Sequence, residues 1–221
     1  MYRDQTTQQF RHQYRAGIHP HYNGYLHALF VLATGVIYVV YQFAQLPVFQ
    51  WFYSLGVVAT LILWNFLEYL IHIKLGHQKT RLGTLFYKRH TGDHHSFYTD
   101  SYLTPHSHRD MRVTLFPAWL VVVSIVIASL SGMIVGWLCG SDWGHVYSGS
   151  LLLGYLAYEF FHFCDHLPAH HPLVQLPWIG HMRRLHQLHH RRDLMRRYNF
   201  NLTFPLADWV LGTFYWEPPE D

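Results

Sequence analysis

Apolar residues in this chain gather in long uncharged runs rather than in alternation. From His27 to Leu46 there is no Asp, Glu, Lys or Arg, and from Pro47 to Phe66 there is again none. A third run extends from Val113 to Leu138, and a weaker fourth, from Val146 to about Phe163, ends in Glu159 and His162. A helix of about 20 apolar residues crosses a hydrocarbon core about 30 Å thick. The pattern therefore predicts four spanning helices, at residues 27–46, 52–72, 113–138 and 146–165. The expected fold is all-α: an integral membrane four-helix transmembrane bundle with a cytosolic helical cap. Residues 1–24 read as a cytosolic tail and 25–221 as a single membrane domain.

Helices that are apolar all round also occur in the interior of large soluble proteins, and charge placement separates the two cases. All 16 Lys and Arg residues lie in the tail, between Lys74 and Arg112, or between Arg183 and Arg197. The connections at 46–51 and 139–145 hold none. Four alternating spans would bring the three basic stretches to one side, which the positive-inside rule makes cytoplasmic. The expectation is a multi-pass protein of the bacterial inner membrane or the endoplasmic reticulum, with both termini cytoplasmic. The polar first 24 residues hold no cleavable signal pattern, so the first span is expected to act as an uncleaved anchor.

Composition then adjusts this picture. The 221 residues are 50% hydrophobic, and a mean hydropathy near zero averages apolar spans with polar, basic segments. Cys139 and Cys164, the two cysteines, are expected near opposite membrane faces, which argues against a disulfide. The net charge of +3 is too small to suggest a nucleic-acid partner. Arg191, Arg192, Arg196 and Arg197 are expected to meet anionic headgroups or an acidic partner.

The candidate chemistry lies in the histidines. Ten of 20 fall into four clusters: His72 and His77; His90, His94 and His95; His162 and His166; His186, His189 and His190. The four-span topology places every cluster on the cytoplasmic side, where all ten can converge in the cap. At four apart, His162 and His166 share a helix face, as do His90 with His94 and His186 with His190. His72 and His77, five apart, diverge on an ideal helix, so that pair serves two metals or its helix frays. Glu68 and Glu159, about one turn ahead of their clusters, could each hold a ligand imidazole by its second nitrogen. His12, His19, His21, His27, His106, His108, His145, His170, His171 and His181 fall outside the pattern.

Neutral imidazole suits zinc, copper, iron or nickel rather than magnesium or calcium, and ten such ligands suffice for a dinuclear site with open positions. Imidazoles leave the metal charge largely uncompensated, which favours a strong oxidant acting on an apolar C–H bond. Phe66, Tyr69, Tyr158, Phe160 and Phe161 are candidates to line the approach of an apolar substrate. A divalent-metal transporter fits less well, because such sites lie near the bilayer midplane within repeated halves. A non-catalytic, metal-stabilised protein is the third class.

Together the motifs HxxxxH (His72–His77), HxxxHH (His90–His95), HxxxH (His162–His166) and HxxHH (His186–His190) resemble those of the fatty acid hydroxylase and sterol desaturase superfamily. GYLAYEFFHFCDH, from Gly154, is similar to its segment of tyrosine and acidic residue ahead of an HxxxH pair. LHQLHH followed by NFNLTFPLADWVLGT is similar to its closing region. The likeness runs from about Leu67 to Phe214, with three residues between His90 and His94 where fatty acid 2-hydroxylases carry two. The resemblance implies two iron ions, with zinc replacing them on overproduction, and molecular oxygen as co-substrate. It implies an oxidoreductase that hydroxylates a lipid, with a desaturase or sterol-type oxidase as the alternative. All ten clustered histidines match its metal positions, Tyr158 and Asp208 join Glu68 and Glu159 as supporting residues, and no catalytic side chain is implied beyond the ligands. No haem domain precedes the spans in this sequence, so electrons are expected from a separate donor: a cytochrome b5-like protein, a ferredoxin or a reductase.

Overall fold

A computed structural model describes residues 2–81 and 83–218, so the outermost ends of the expected tail and membrane domain, Met1 and 219–221, lie outside the described residues. In chain order the helices are α1 (Tyr2–Ala16), α2 (Gly24–Ala44), α3 (Tyr53–Ile71), α4 (Thr84–Tyr87), α5 (His95–Phe97), α6 (Met111–Thr114), α7 (Trp119–Cys139), α8 (Ser141–Asp165), α9 (Pro177–His189) and α10 (Leu206–Leu211). Two π-helical segments, His72–Gly76 and Lys88–His94, interrupt the α pattern. No strand occurs among the described residues, so the expected all-α class is observed.

Among the described residues three helices are long and apolar enough to cross a membrane: Gly24–Ala44, Tyr53–Gly76 with its π segment, and Trp119–Cys139. The third helix starts at Trp119, six positions after the expected start at Val113. Leu115 is extended (ψ 145°), and Pro117 disfavours helical geometry at the residue before it. The fourth expected span corresponds to α8, whose 25 residues would reach about 37 Å, but α8 is less apolar than the other three. Ser148 and Ser150 are buried within it beside Val146, Leu151 and Leu152. Seen from one side of a helix, such small and polar positions reflect packing against protein rather than contact with lipid.

Two compact units divide the chain, and α3 and α8 each run from one unit into the other. One comprises residues 25–65 and 116–159. Val31, Val121, Leu152, Tyr155 and Leu156 form its core. Helices α7 and α8 approach closely within it, where Gly132 and Gly136 meet Gly144 and the Ser148 hydroxyl donates to the Ala128 carbonyl at 2.9 Å. At Gly132 a side chain would collide with Ser148, so hydrogen is what lets the backbones touch. His27 and His145 belong to this unit and have ordinary partners there: the Phe116 carbonyl at 2.9 Å and the Gln42 side chain at 2.7 Å.

The other unit comprises residues 1–24, 66–115 and 160–221, and it contains all ten clustered histidines. Here α1 packs Phe10 and Tyr14 against the buried Phe97, Tyr98 and Val113. Two of its arginines point inward as well: Arg11 is fully buried, and Arg15 makes a bidentate pair with Asp110 at 2.8 and 2.9 Å. Cys139 is exposed and Cys164 buried, and both are free thiols.

Candidate metal centre

Two sets of imidazoles form in this unit. His72, His77, His90, His95 and His189 make one group, and His94, His166, His186 and His190 make the other, with ligating atoms within 4.8 Å of one another in each group. His162 lies beside the second group, its Nε2 3.2 Å from that of His94. None of the ten is more than 5% exposed.

Helical registers explain the sorting. Where the sequence pattern leaves His72 and His77 divergent, the chain forms a π turn, closed by the His77 N–H donating to the His72 carbonyl at 3.2 Å. A bond of this i,i+5 type stacks residues five apart, so both imidazoles serve one group, with Nε2 atoms 3.2 Å apart. The second π segment does the same for His90 and His95, 3.1 Å apart at Nε2, and sends His94 to the other group. This corrects the pairing of His90 with His94 expected from α-helical spacing. His162 with His166 and His186 with His190 keep the four-residue spacing, and His189 crosses to the first group. Each HH dipeptide thus supplies one imidazole to each group, because neighbours on a helix point about 100° apart. At Gly76 a Cβ would come within 2.9 Å of the His90 ring, so the absent side chain makes room for the imidazoles.

Second ring nitrogens fix the tautomers. Nδ1 of His72 donates to the Phe200 carbonyl at 2.5 Å and that of His189 to the Tyr198 carbonyl at 2.8 Å. His94 donates to Val113 at 3.1 Å, His166 to Leu103 at 2.7 Å and His190 to Tyr98 at 3.0 Å. Nδ1 of His77 faces the Thr91 hydroxyl at 3.3 Å, and that hydroxyl itself donates to the Gly76 carbonyl. A neutral imidazole with its proton on Nδ1 presents a lone pair at Nε2; those of His72 and His189 face that of His77 at 3.2 and 3.0 Å, and Nε2 of His166 and of His190 face Nε2 of His186 at 3.0 and 2.9 Å. Protonation offers no relief: burial pushes His94 down to about 3 and His189 down to about 4, and holds His90, His95, His186 and His190 well below the usual range. Buried lone pairs facing each other are costly unless a cation lies between them, so the donor set fits a metal such as iron or zinc at each group.

Acidic residues near the clusters do other work than expected. Glu68, instead of holding an imidazole, accepts from the Leu202 N–H and from the N–H and hydroxyl of Thr203, the latter at 2.8 Å. Asp208 accepts from the N–H groups of Phe200 and Asn201 at 3.0 and 2.8 Å and from the Thr213 hydroxyl at 2.7 Å. Both therefore brace the segment whose Phe200 carbonyl receives His72. Glu159 accepts the Tyr155 hydroxyl at 2.8 Å, in place of an imidazole, and Tyr158 stacks on Phe116 at 5.6 Å. Of the aromatic candidates for a substrate route, Tyr69 is buried against Phe200 at 5.4 Å, while Phe160 is exposed.

Over residues 57–213 the chain matches the family described as fatty acid hydroxylase. That is well over half of its length. The chain belongs to the fatty acid hydroxylase family, within the fatty acid hydroxylase and sterol desaturase superfamily. Membership implies an oxidoreductase acting on lipids at membranes, consistent with the three apolar helices and the buried histidine groups. No curated protein and no solved structure matches the chain.

Several supports of this family member carry no motif. Backbone carbonyls of Tyr98, Leu103, Val113, Tyr198 and Phe200 orient the imidazoles, and a carbonyl has no letter in a sequence. Asn199, held at φ 57°, bonds the Leu185 and Tyr215 carbonyls and accepts the Tyr215 N–H at 2.9 Å. Asparagine is among the few residues that adopt this left-handed conformation readily.

Proposed function

We propose that the chain is an oxygen-dependent di-iron lipid hydroxylase acting on the apolar chain of a membrane lipid, with the ten clustered histidines as its metal ligands. The observation that carries this reading is the convergence of buried imidazoles, five of them donating Nδ1 to a backbone carbonyl, into two adjacent groups. Adjacency is set by the HH dipeptides: the rings of His94 and His95 lie 5.5 Å apart, and those of His95 and His190 4.3 Å apart. Two bound irons would supply oxygen activation, one oxygen atom entering the C–H bond and the other leaving as water at the expense of two electrons and two protons. The residues hold five of the ligands in one tautomer through backbone carbonyls, exclude water by burial, and leave positions open because imidazole brings no second donor atom to the ion.

In this reading the basic segments are cytoplasmic, α8 is a fourth span enclosed by the other three, and a separate donor delivers the electrons. Accessibility labelling tests the topology, with the tail and Arg191 expected on one side. For the reaction, lipids of a host carrying the chain are compared with those of a host lacking it, under isotopically labelled oxygen. A lipid heavier by one labelled oxygen supports hydroxylation, whereas one lighter by two hydrogens assigns the site to desaturation or a related oxidation. Lipids unchanged by protein that carries two irons and is supplied with a reductant refute the enzyme reading.

A further inference from the structure

The backbone that supports the second histidine group is itself held by α1, which lies outside the family-matched residues. Three of the group's imidazoles donate Nδ1 to carbonyls of Tyr98, Leu103 and Val113. That stretch contains no long helix, so its backbone polar groups need partners from elsewhere. Arg11 of α1 supplies them. Buried completely, its guanidinium donates to the carbonyls of Phe97 at 3.5 Å, Tyr102 at 3.3 Å and Thr104 at 2.9 Å, and it lies 4.6 Å over the Phe97 ring. These acceptors flank Tyr98 and Leu103, the two residues whose carbonyls hold His190 and His166. Farther along, Arg15 pairs with Asp110, which also accepts the His106 N–H at 2.8 Å. The Tyr14 hydroxyl and Arg89 both donate to the Arg112 carbonyl, next to the Val113 carbonyl that holds His94.

We infer that Arg11 is a positioning residue for the second histidine group alone, and that α1 is a strut of that metal site rather than a mere tail. The first group is braced differently, by Glu68 and Asp208 acting on residues 200–203, so disturbance of Arg11 should separate the two. This inference rests on the dinuclear reading above.

Wild type, Arg11→Ala and Arg11→Lys are purified as full-length chains with bound zinc, and zinc per chain, helicity and release to a chelator are measured. Wild type should carry two ions. Arg11→Ala should keep its helicity and carry one, and adding His72→Ala should remove that remaining ion whereas adding His166→Ala should not. Arg11→Lys, which keeps the charge but not the fork that spans three carbonyls, should release one ion at about tenfold lower chelator concentration and the other unchanged, within the range found when groups supporting a metal ligand are altered. Should Arg11→Ala fail to fold, the lysine variant decides. Two ions held as tightly as in wild type, or both weakened together, would overturn the inference. Fewer than two ions in wild type would instead overturn the dinuclear reading itself.

Discussion

Though they share one ligand chemistry, the two histidine groups are built on opposite kinds of support. The first group leans on residues 198–203, a segment in which the N–H groups of residues 200–203 are taken by the carboxylates of Glu68 and Asp208 and the Tyr198 and Phe200 carbonyls receive His189 and His72. The second leans on residues 97–113, where guanidinium groups take neighbouring carbonyls and leave those of Tyr98, Leu103 and Val113 for His190, His166 and His94. In each case irregular backbone is made rigid by charged side chains bonding several peptide groups, which is what a ligand needs in order to be aimed. The comparison teaches that equivalent ligands do not imply equivalent scaffolding, and that each site has its own point of failure.

The largest effect should come from removing a ligand. His186→Ala or His94→Ala should abolish turnover and cost the second ion, and His72→Ala or His189→Ala should abolish turnover and cost the first. Metal analysis beside product formation checks both, and loss of both ions from any one variant would break the division into two groups. Acid should act next, and on both groups at once. Burial holds His94 at about 3 and His189 at about 4, against about 6.5 in an unfolded chain. Their folded values are the lower ones, so stability is complete above about 6.5 and declines as pH falls from there through the folded values. Thermal melts of metal-free protein should be flat between pH 7 and 8 and should fall steadily below about 6.5; a melting temperature that rises on acidification would contradict the burial of neutral imidazoles.

A smaller and more selective change is expected from Asp208→Asn or Glu68→Gln. Each should weaken the first ion by about ten- to a hundredfold and leave the second unchanged, the mirror image of Arg11→Lys, as read by chelator competition. Smallest of all is His12→Ala: His12 is an exposed residue of α1, and its loss should alter neither metal content nor turnover.

Much of the fold was legible because long uncharged runs have few other uses. Residues 27–46 and 52–72 correspond to α2 and α3 within a few positions, since an apolar helix is dictated by its own composition. The run from Val113 misled at its start because Pro117, rather than hydropathy, sets where α7 begins. The weaker run after Val146 became α8, whose buried serines and glycines reflect neighbours in the fold. Histidine spacing was legible where it followed the α-helical period, as at His186 and His190, which share a group. It misled at His72–His77 and His90–His95, where π turns change the period. Arg11 was invisible as a support: in the sequence it is one basic residue in a polar tail.

By itself, then, the sequence determined which segments are apolar helices, that ten histidines recur in four motifs, and which family those motifs resemble, because residue type and spacing carry that information directly. Tertiary structure alone decided which imidazole joins which group, that backbone carbonyls hold them, and that α1 braces one site while Glu68 and Asp208 brace the other. Those outcomes depend on the local helical period and on peptide groups that every residue possesses, so they exist only once distant segments are packed together.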